Sequence, residues 1–556
     1  MATPPPKKTI KKRPAQPKTT AERIAPFKRA YGAARPKTES AGARGAGGRT
    51  AGRGPLSPPP EARRERRALS HVGGEVFVDG GTPEEQQVLR EALAVNADES
   101  EVMSDVHGFH SYPARLHPLT ASRLIAGLSQ KGARVLDPFC GSGTVVVEAR
   151  ALGREALGSD LNPLAVELSW LKSRGPTEKF VSDLIQTAYH IAEVAEERRL
   201  DKAEPHKRYD EEMRSRYPIH ILLELDSIMT SIEQLPKNEL SRMLRLVVSS
   251  TLTKLAFSEG DTTRQKAPRR LPGGFAIQLF ADKANELGER LNAFSARVPE
   301  RTPRAHVTHA DARNVEFVED ESIDLIVTSP PYPGVYDYLE HHMHRLRWLG
   351  LKESRLAEHE IGAKREYRRL RLDEAAERWQ YEIGHVLRDM RRMLTRDGRA
   401  VMIIADSVVD RQALYADEQI QKAAEFAGMK ITAVASQERP LFLYGAAEAF
   451  GNTPRQEHVV ILRPGPAPRK PRVGDGTSPQ DDRASPQDGG ARRAPGSPDR
   501  GGPARPDRGP RENRDAPRFG SKPHGAAGSA RPTGPRREGS SDRRGPPRKG
   551  PGPKDR

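Results

Sequence analysis

The sequence predicts an α/β fold: a Rossmann-like sheet with helices on both faces, a helical insertion, and two basic tails read as disordered. Three observations predict it. Residues 134–162, RVLDPFCGSGTVVVEARALGREALGSDLN, read as strand, glycine turn, helix and strand, with an acidic residue at the carboxyl end of the second strand. Residues 323–327, IDLIV, form a largely apolar run of the kind buried in a parallel sheet. The chain ends, residues 1–70 and 464–556, are rich in Pro, Gly, Ala, Ser and Arg with few large apolar side chains, so neither can bury a core.

The elements follow in order. Ordered sequence is expected from about residue 69, where SHVGGEVFVDG gives a short strand before a helix over 82–94. Residues 107–128, HGFHSYPARLHPLTASRLIAGL, lead an aromatic and proline-rich entry into an apolar-periodic helix. After the first strand, the turn FCGSGT sets small residues where the backbone must bend sharply and approach a ligand. A helix over 144–150 and a strand over 155–159 follow, and then NPLAVELSWLKS puts Leu164, Leu168 and Leu171 on one helical face with Trp170 as core.

Residues 176–303 are predicted as a helical insertion from the periodic runs IHILLELDSIMTSIEQL and ELSRMLRLVVSSTLTKLAFSEGD, and substrate recognition is the role considered for it. Its basic stretch at 260–274, GDTTRQKAPRRLPGG, reads as a loop that reaches a phosphate backbone or stays solvated. RAHVTHADARNV, residues 304–315, gives a third strand and an acidic turn. Beyond the strand at 323–327, a helix over 339–349 is expected to turn Met343, Leu346 and Leu349 inward. Charged sequence at 352–371 is expected to be helical and to face DNA or solvent. A helix over 373–394, a strand in AVMIIAD, a helix over 418–427 and strands over 430–435 and 458–463 complete the sheet, with an antiparallel edge.

Charge divides the 556-residue chain the same way. Residues 1–69 hold 18 Lys plus Arg against 4 Asp plus Glu, and residues 464–556 hold 22 against 11. These segments carry +14 and +11 in a chain of +17, which leaves −8 for the middle. The basic excess therefore lies outside the expected enzyme domain, where cationic arms either bind nucleic acid by releasing counterions or simply keep the protein soluble. A single cysteine, Cys140, rules out an internal disulfide and a cysteine-rich zinc site, and fits a reducing, cytoplasmic setting. His107, His110 and His117 fit no usual metal spacing, so no metal is expected. No run approaches 18 consecutive apolar residues, and the basic amino terminus lacks the apolar segment of a secretory signal, so no membrane partner is expected.

DPFCGSGT at 137–144 resembles the S-adenosylmethionine loop of the amino-group DNA methyltransferases, and TSPPY at 328–332 resembles their catalytic motif. The resemblance covers residues 105–463 and says nothing about the tails. It implies an S-adenosylmethionine cofactor touched by Tyr112, Asp137, Phe139, Gly141, Gly143, Thr144, Asp160, Asn162 and Asp311. The turn would lie against the methionine moiety, which the segment before the first strand would close over. Phe139 would sit near the adenosine, Asp160 on the ribose hydroxyls and Asp311 on the adenine amino group. Asp160 also reads as a plain helix cap. The insertion departs from the family's usual order, because it falls between the second and third sheet elements.

For the catalytic turn the resemblance implies Ser329, Pro330, Pro331 and Tyr332. An exocyclic amine is a poor nucleophile because its lone pair is delocalised into the ring. Acceptors at Ser329 and the Pro330 carbonyl can draw the nitrogen towards tetrahedral geometry, two prolines hold them in place, and Tyr332 offers a face to a base rotated out of the duplex. The expected enzyme is a site-specific DNA methyltransferase, of restriction–modification type, that acts on cytosine N4. Serine before the first proline is commoner in the cytosine members of the family. The alternatives are an adenine-N6 DNA enzyme, a structured-RNA enzyme, or an inactive nucleic-acid-binding protein. Carbon-5 chemistry needs a cysteine nucleophile, and Cys140 lies instead within the cofactor turn.

Overall fold

The computed structural model describes residues 74–95, 105–257, 270–440 and 446–465. Apart from residues 464 and 465, the two tails lie outside these residues, as does most of the 260–274 loop. The strands are β1 Val76–Gly80, β2 Arg134–Asp137, β3 Glu155–Asp160, β4 His306–His309, β5 Ile323–Thr328, β6 Leu394–Ala405, β7 Ser407–Val409, β8 Gln412–Leu414, β9 Met429–Glu438 and β10 Gln456–Pro464. Eight of them make one sheet in the order β1-β9-β10-β6-β5-β2-β3-β4, and β7 pairs with β8 separately. β2 to β6 run parallel, whereas β10 is antiparallel to both β6 and β9, and β1 to β9.

From β2 the chain steps outward through β3 to β4, then returns to lay β5 on the other side of β2. That reversal opens a crevice beyond the carboxyl ends of the strands, where open α/β sheets hold their ligands. The side-chain alternation of β2 sends Leu136 to one face of the sheet and Val135 to the other. On the first face Leu136 and Ile326 pack with Trp379, Ile383 and Leu387 of the helix Leu372–Met393 and with Ile420 of Ala416–Ala427. On the second, Val135 and Val327 pack with Leu89 of Pro83–Leu93, Leu124 of Pro118–Leu128 and Val146 of Thr144–Ala151. Each such side chain, fully buried, stabilises the fold by about 1.5–3 kcal/mol.

A third apolar cluster is helical. Glu178–Leu200, Ile219–Glu233, Glu239–Leu255 and Phe275–Arg297 fill the sequence between β3 and β4, and pack on Pro163–Lys172 and Tyr338–Leu349. The Glu224 carboxylate accepts from the Gly274 and Ala276 N–H groups at 2.6 and 2.9 Å, so a buried acid meets the positive amino end of Phe275–Arg297. Trp170 is buried as expected, with the Arg242 guanidinium 3.7 Å from its ring centroid.

Several expectations change. Met343 is 37 % exposed, because the inward stripe of its helix runs through His342, Arg345, Leu346 and Leu349. Residues 352–371 form two short helices, Ser354–His359 and Lys364–Tyr367, and Tyr367 is buried against the sheet instead of belonging to a solvated charged helix. The antiparallel edge is present, and the strand before the first helix forms it: β1 pairs antiparallel with β9, and β10 lies between β6 and β9. The β7–β8 hairpin had no counterpart in the sequence reading.

Candidate active site

The first wall of the crevice is the turn after β2. Gly141 and Gly143 have φ of +50° and +90°, and a Cβ on Gly143 would stand 2.7 Å from Ser169 Cα, so only glycine lets this turn press on the next helix. Gly143 then opens the helix Thr144–Ala151. At the end of β3, the Asp160 carboxylate accepts from the Gly141 N–H and the Asn162 N–H, both at 2.8 Å, which pins the turn to the neighbouring strand. Burial raises the Asp160 carboxyl to about 6. The Asn162 carboxamide oxygen caps the helix Pro163–Lys172 at 3.0 Å, and its nitrogen meets His342 Nδ1 at 2.8 Å.

The second wall follows β5. The Ser329 hydroxyl lies 3.5 Å from the Tyr332 hydroxyl, and the Pro331 carbonyl accepts from Trp379 Nε1 at 3.1 Å. The loop between the two short helices buttresses this turn, since Gly334 N–H donates to the Gly362 carbonyl at 3.0 Å and Lys364 N–H to the Tyr336 carbonyl at 2.8 Å. Arg365 reaches both Asp337 and Glu360 at 2.7 and 2.6 Å, and Glu360 in turn accepts from the Tyr338 N–H at 2.7 Å.

Between the walls lies a cleft of about 630 Å³. Of the residues singled out in the sequence, Tyr112, Phe139, Gly141, Asp160, Asn162, Asp311, Ser329 and Pro331 line it. Asp137, Gly143, Thr144, Pro330 and Tyr332 do not. Asp137 is turned aside, with Oδ1 accepting from Thr328 Oγ1 at 2.6 Å and from the Phe139 N–H at 3.1 Å. Gly143 and Thr144 are packed into the turn, and Tyr332 faces a separate cavity of about 210 Å³ with Trp379 and Leu414.

Asp311 reaches the cleft with both carboxylate oxygens already bonded to Arg313, at 3.0 and 2.6 Å. Burial alone would lift this carboxyl, but Arg313 outweighs burial and holds it below the usual range. A carboxylate has about four acceptor sites, so it keeps capacity for a further donor. Tyr338, Leu356, His359, Glu360 and Ile361 also line the cleft, and the sequence reading did not include them. A signal for Tyr338 was present in the tyrosine-rich run after TSPPY, whereas the others lie in sequence that reads only as charged.

The described residues show one gathering of potential metal ligands, Asp406, Asp417 and His458. The Asp406 oxygens in this group are taken by the Ala416 and Gln456 N–H groups at 2.9 and 2.8 Å. The group ties β6 to β10 and does not line the cleft.

Residues 63–170, which span the first wall, match the model of a DNA methylase family. A stretch of 244 residues is 26 % identical to the Type II methyltransferase M.MvaI of Kocuria varians, covering 41 % of this chain and 53 % of that protein. The chain thus spans about half the length of this curated relative. Among solved structures, this chain resembles a TehB-like S-adenosylmethionine-dependent methyltransferase of Corynebacterium glutamicum over 62 % of this chain and 86 % of that one, at 10 % identity and a TM-score of 0.23. It also resembles TrmN of Thermus thermophilus over 65 % and 52 %, at 13 % and 0.26. No described helix is long and apolar enough to cross a membrane.

Proposed function

We propose that the protein transfers a methyl group from S-adenosylmethionine to the exocyclic amine of a base in DNA, at cytosine N4. The observation that carries this reading is that Ser329 shares one cleft with Gly141 and Asp160, so an amine acceptor and the cofactor-turn residues line the same space. The cleft's chemistry fits the cofactor. Tyr112, Phe139 and Tyr338 supply aromatic walls, Asp160 an acceptor for a diol and Asp311 one for an amino group. A Cβ on Gly141 would meet the Tyr112 ring at 3.4 Å.

Bound S-adenosylmethionine would supply the electrophilic methyl and its own leaving group. The chain's residues do the rest. Ser329 Oγ accepts one N–H of the amine, the Pro330 carbonyl accepts the other, and the two prolines keep these acceptors from relaxing away. The Pro331 carbonyl accepts from Trp379 Nε1, which holds the turn in place. Tyr332 stands beside Ser329 but lines the smaller cavity, so stacking on a rotated base requires its ring to turn towards the cleft. A neutral hydroxyl at Ser329 supports cytosine over adenine through the family resemblance. The helical insertion and the basic tails are assigned to contacts with the DNA.

The test is to incubate purified protein with S-adenosylmethionine and DNA, digest to nucleosides and identify the product by mass spectrometry. N4-methylcytosine is expected. N6-methyladenine alone would reverse the base assignment, and methylation of RNA but not of DNA would reverse the substrate.

A further inference from the structure

β2 and β5 carry the chain into the two walls of the cleft, yet their backbone ladder is short. It pairs Val135 with Leu325 and Leu136 with Ile326, and goes no further. Beyond it the strands separate at the crevice, and Thr328 takes its strand partner, Met402, from β6. What bridges β2 and β5 past this point is a side-chain contact, Thr328 Oγ1 donating to Asp137 Oδ1 at 2.6 Å. Asp137 is 4 % exposed and Thr328 is fully buried, so water cannot readily replace the bond. The same oxygen accepts from the Phe139 N–H at 3.1 Å. Phe139 lines the cleft, and Thr328 is followed directly by Ser329.

We propose that the Asp137–Thr328 bond is a strap that couples filling of the cofactor turn to the setting of Ser329, with both as positioning residues that touch neither cofactor nor base. This rests on the reading of the cleft given above. A ligand against Phe139 loads the turn, Asp137 passes the load across the gap between strands, and Thr328 fixes where Ser329 stands. Burial raises the Asp137 carboxyl to about 7, which is consistent with a group sealed between the strands. A hydrogen bond between two such sites is one route by which coupling is carried, and the strap supplies it.

The experiment uses the full chain, with Thr328→Val removing the hydroxyl at nearly equal volume and Thr328→Ser keeping it. S-adenosylhomocysteine affinity is measured by calorimetry, and amide hydrogen exchange over residues 329–338 is followed with and without that ligand. In the wild type the ligand is expected to slow exchange in this stretch. Thr328→Val should lose that response while the Kd stays the same, and Thr328→Ser should restore it. The single-turnover methyl-transfer rate should fall about tenfold in Thr328→Val, the weight of one buried hydrogen bond to a carboxylate. Thr328→Ala serves the same comparison if thermal melts show that valine is not accommodated. Ligand protection equal in wild type and Thr328→Val overturns the strap but leaves the function standing. A Kd that weakens as much as the response reduces the bond to support of the binding site. Failure of the wild type to bind S-adenosylhomocysteine overturns the functional reading itself.

Discussion

Two carboxyls dominate the chemistry at the residue scale. Burial lifts Asp137 from 3.8 to about 7 and Asp160 from 3.8 to about 6, so the folded state retains protons that the unfolded chain releases. The stability they contribute is complete below the ordinary carboxylate pKa and is lost as pH rises through 6 and 7. The ligand-free protein is therefore expected to melt at a lower temperature near pH 8 than near pH 5, and Asp137→Asn to flatten that decline. Calorimetric melts across the range check it, and a variant as steep as the wild type would assign the pH dependence to other groups. The division of labour between the walls gives a second expectation. Ser329→Ala should abolish transfer with cofactor affinity nearly intact, while Asp160→Ala should weaken cofactor binding by roughly 1.5–3 kcal/mol through loss of a charge-assisted contact. Titration of both variants with S-adenosylhomocysteine measures the split, and equal losses of affinity would refute it.

At the scale of elements, the turn after β2 tolerates little. Gly143→Ala forces a Cβ to within 2.7 Å of Ser169 Cα at φ +90°, so a destabilisation of about 1–3 kcal/mol is expected. Urea unfolding would measure it, and an unchanged midpoint would mean that the helix Pro163–Lys172 shifts freely. This turn was legible because glycine spacing after an apolar strand is a local pattern that encodes backbone conformation. Residues 354–365 were not legible for the opposite reason. Their role comes from Arg365 bonding to Asp337 and Glu360, and from Gly362, where an added Cβ would stand 3.1 Å from the Tyr332 carbonyl oxygen. These are long-range pairings inside a run that looks merely charged. Met343 failed similarly, since its helix packs buried His342 and Arg345 where periodicity favoured an apolar side chain. His342 finds its place through Asn162, 180 residues earlier in the chain.

For the whole molecule, the charge division predicts that removing residues 1–60 and 466–556 leaves an active core whose DNA binding is weaker and less dependent on salt. The second cut falls after residue 465 because β10 runs to Pro464 and the Gly465 N–H donates to the Gly428 carbonyl at 3.0 Å. The slope of log affinity against log salt measures the effect, and an unchanged slope would place the DNA contacts in the core. By itself the sequence determined the α/β class, the two turns and the residues at their tips, because strand period, glycine φ and proline rigidity act over a few neighbouring residues. Only the tertiary structure decided which of those residues face the cleft. Asp137 and Tyr332 belong to the motifs as firmly as Asp160 and Ser329 do, but Asp137 turns to Thr328 across the strand gap and Tyr332 to a second cavity. Side-chain direction at the end of a strand is set by what the adjoining strand offers, and in a parallel sheet that neighbour lies far away in sequence.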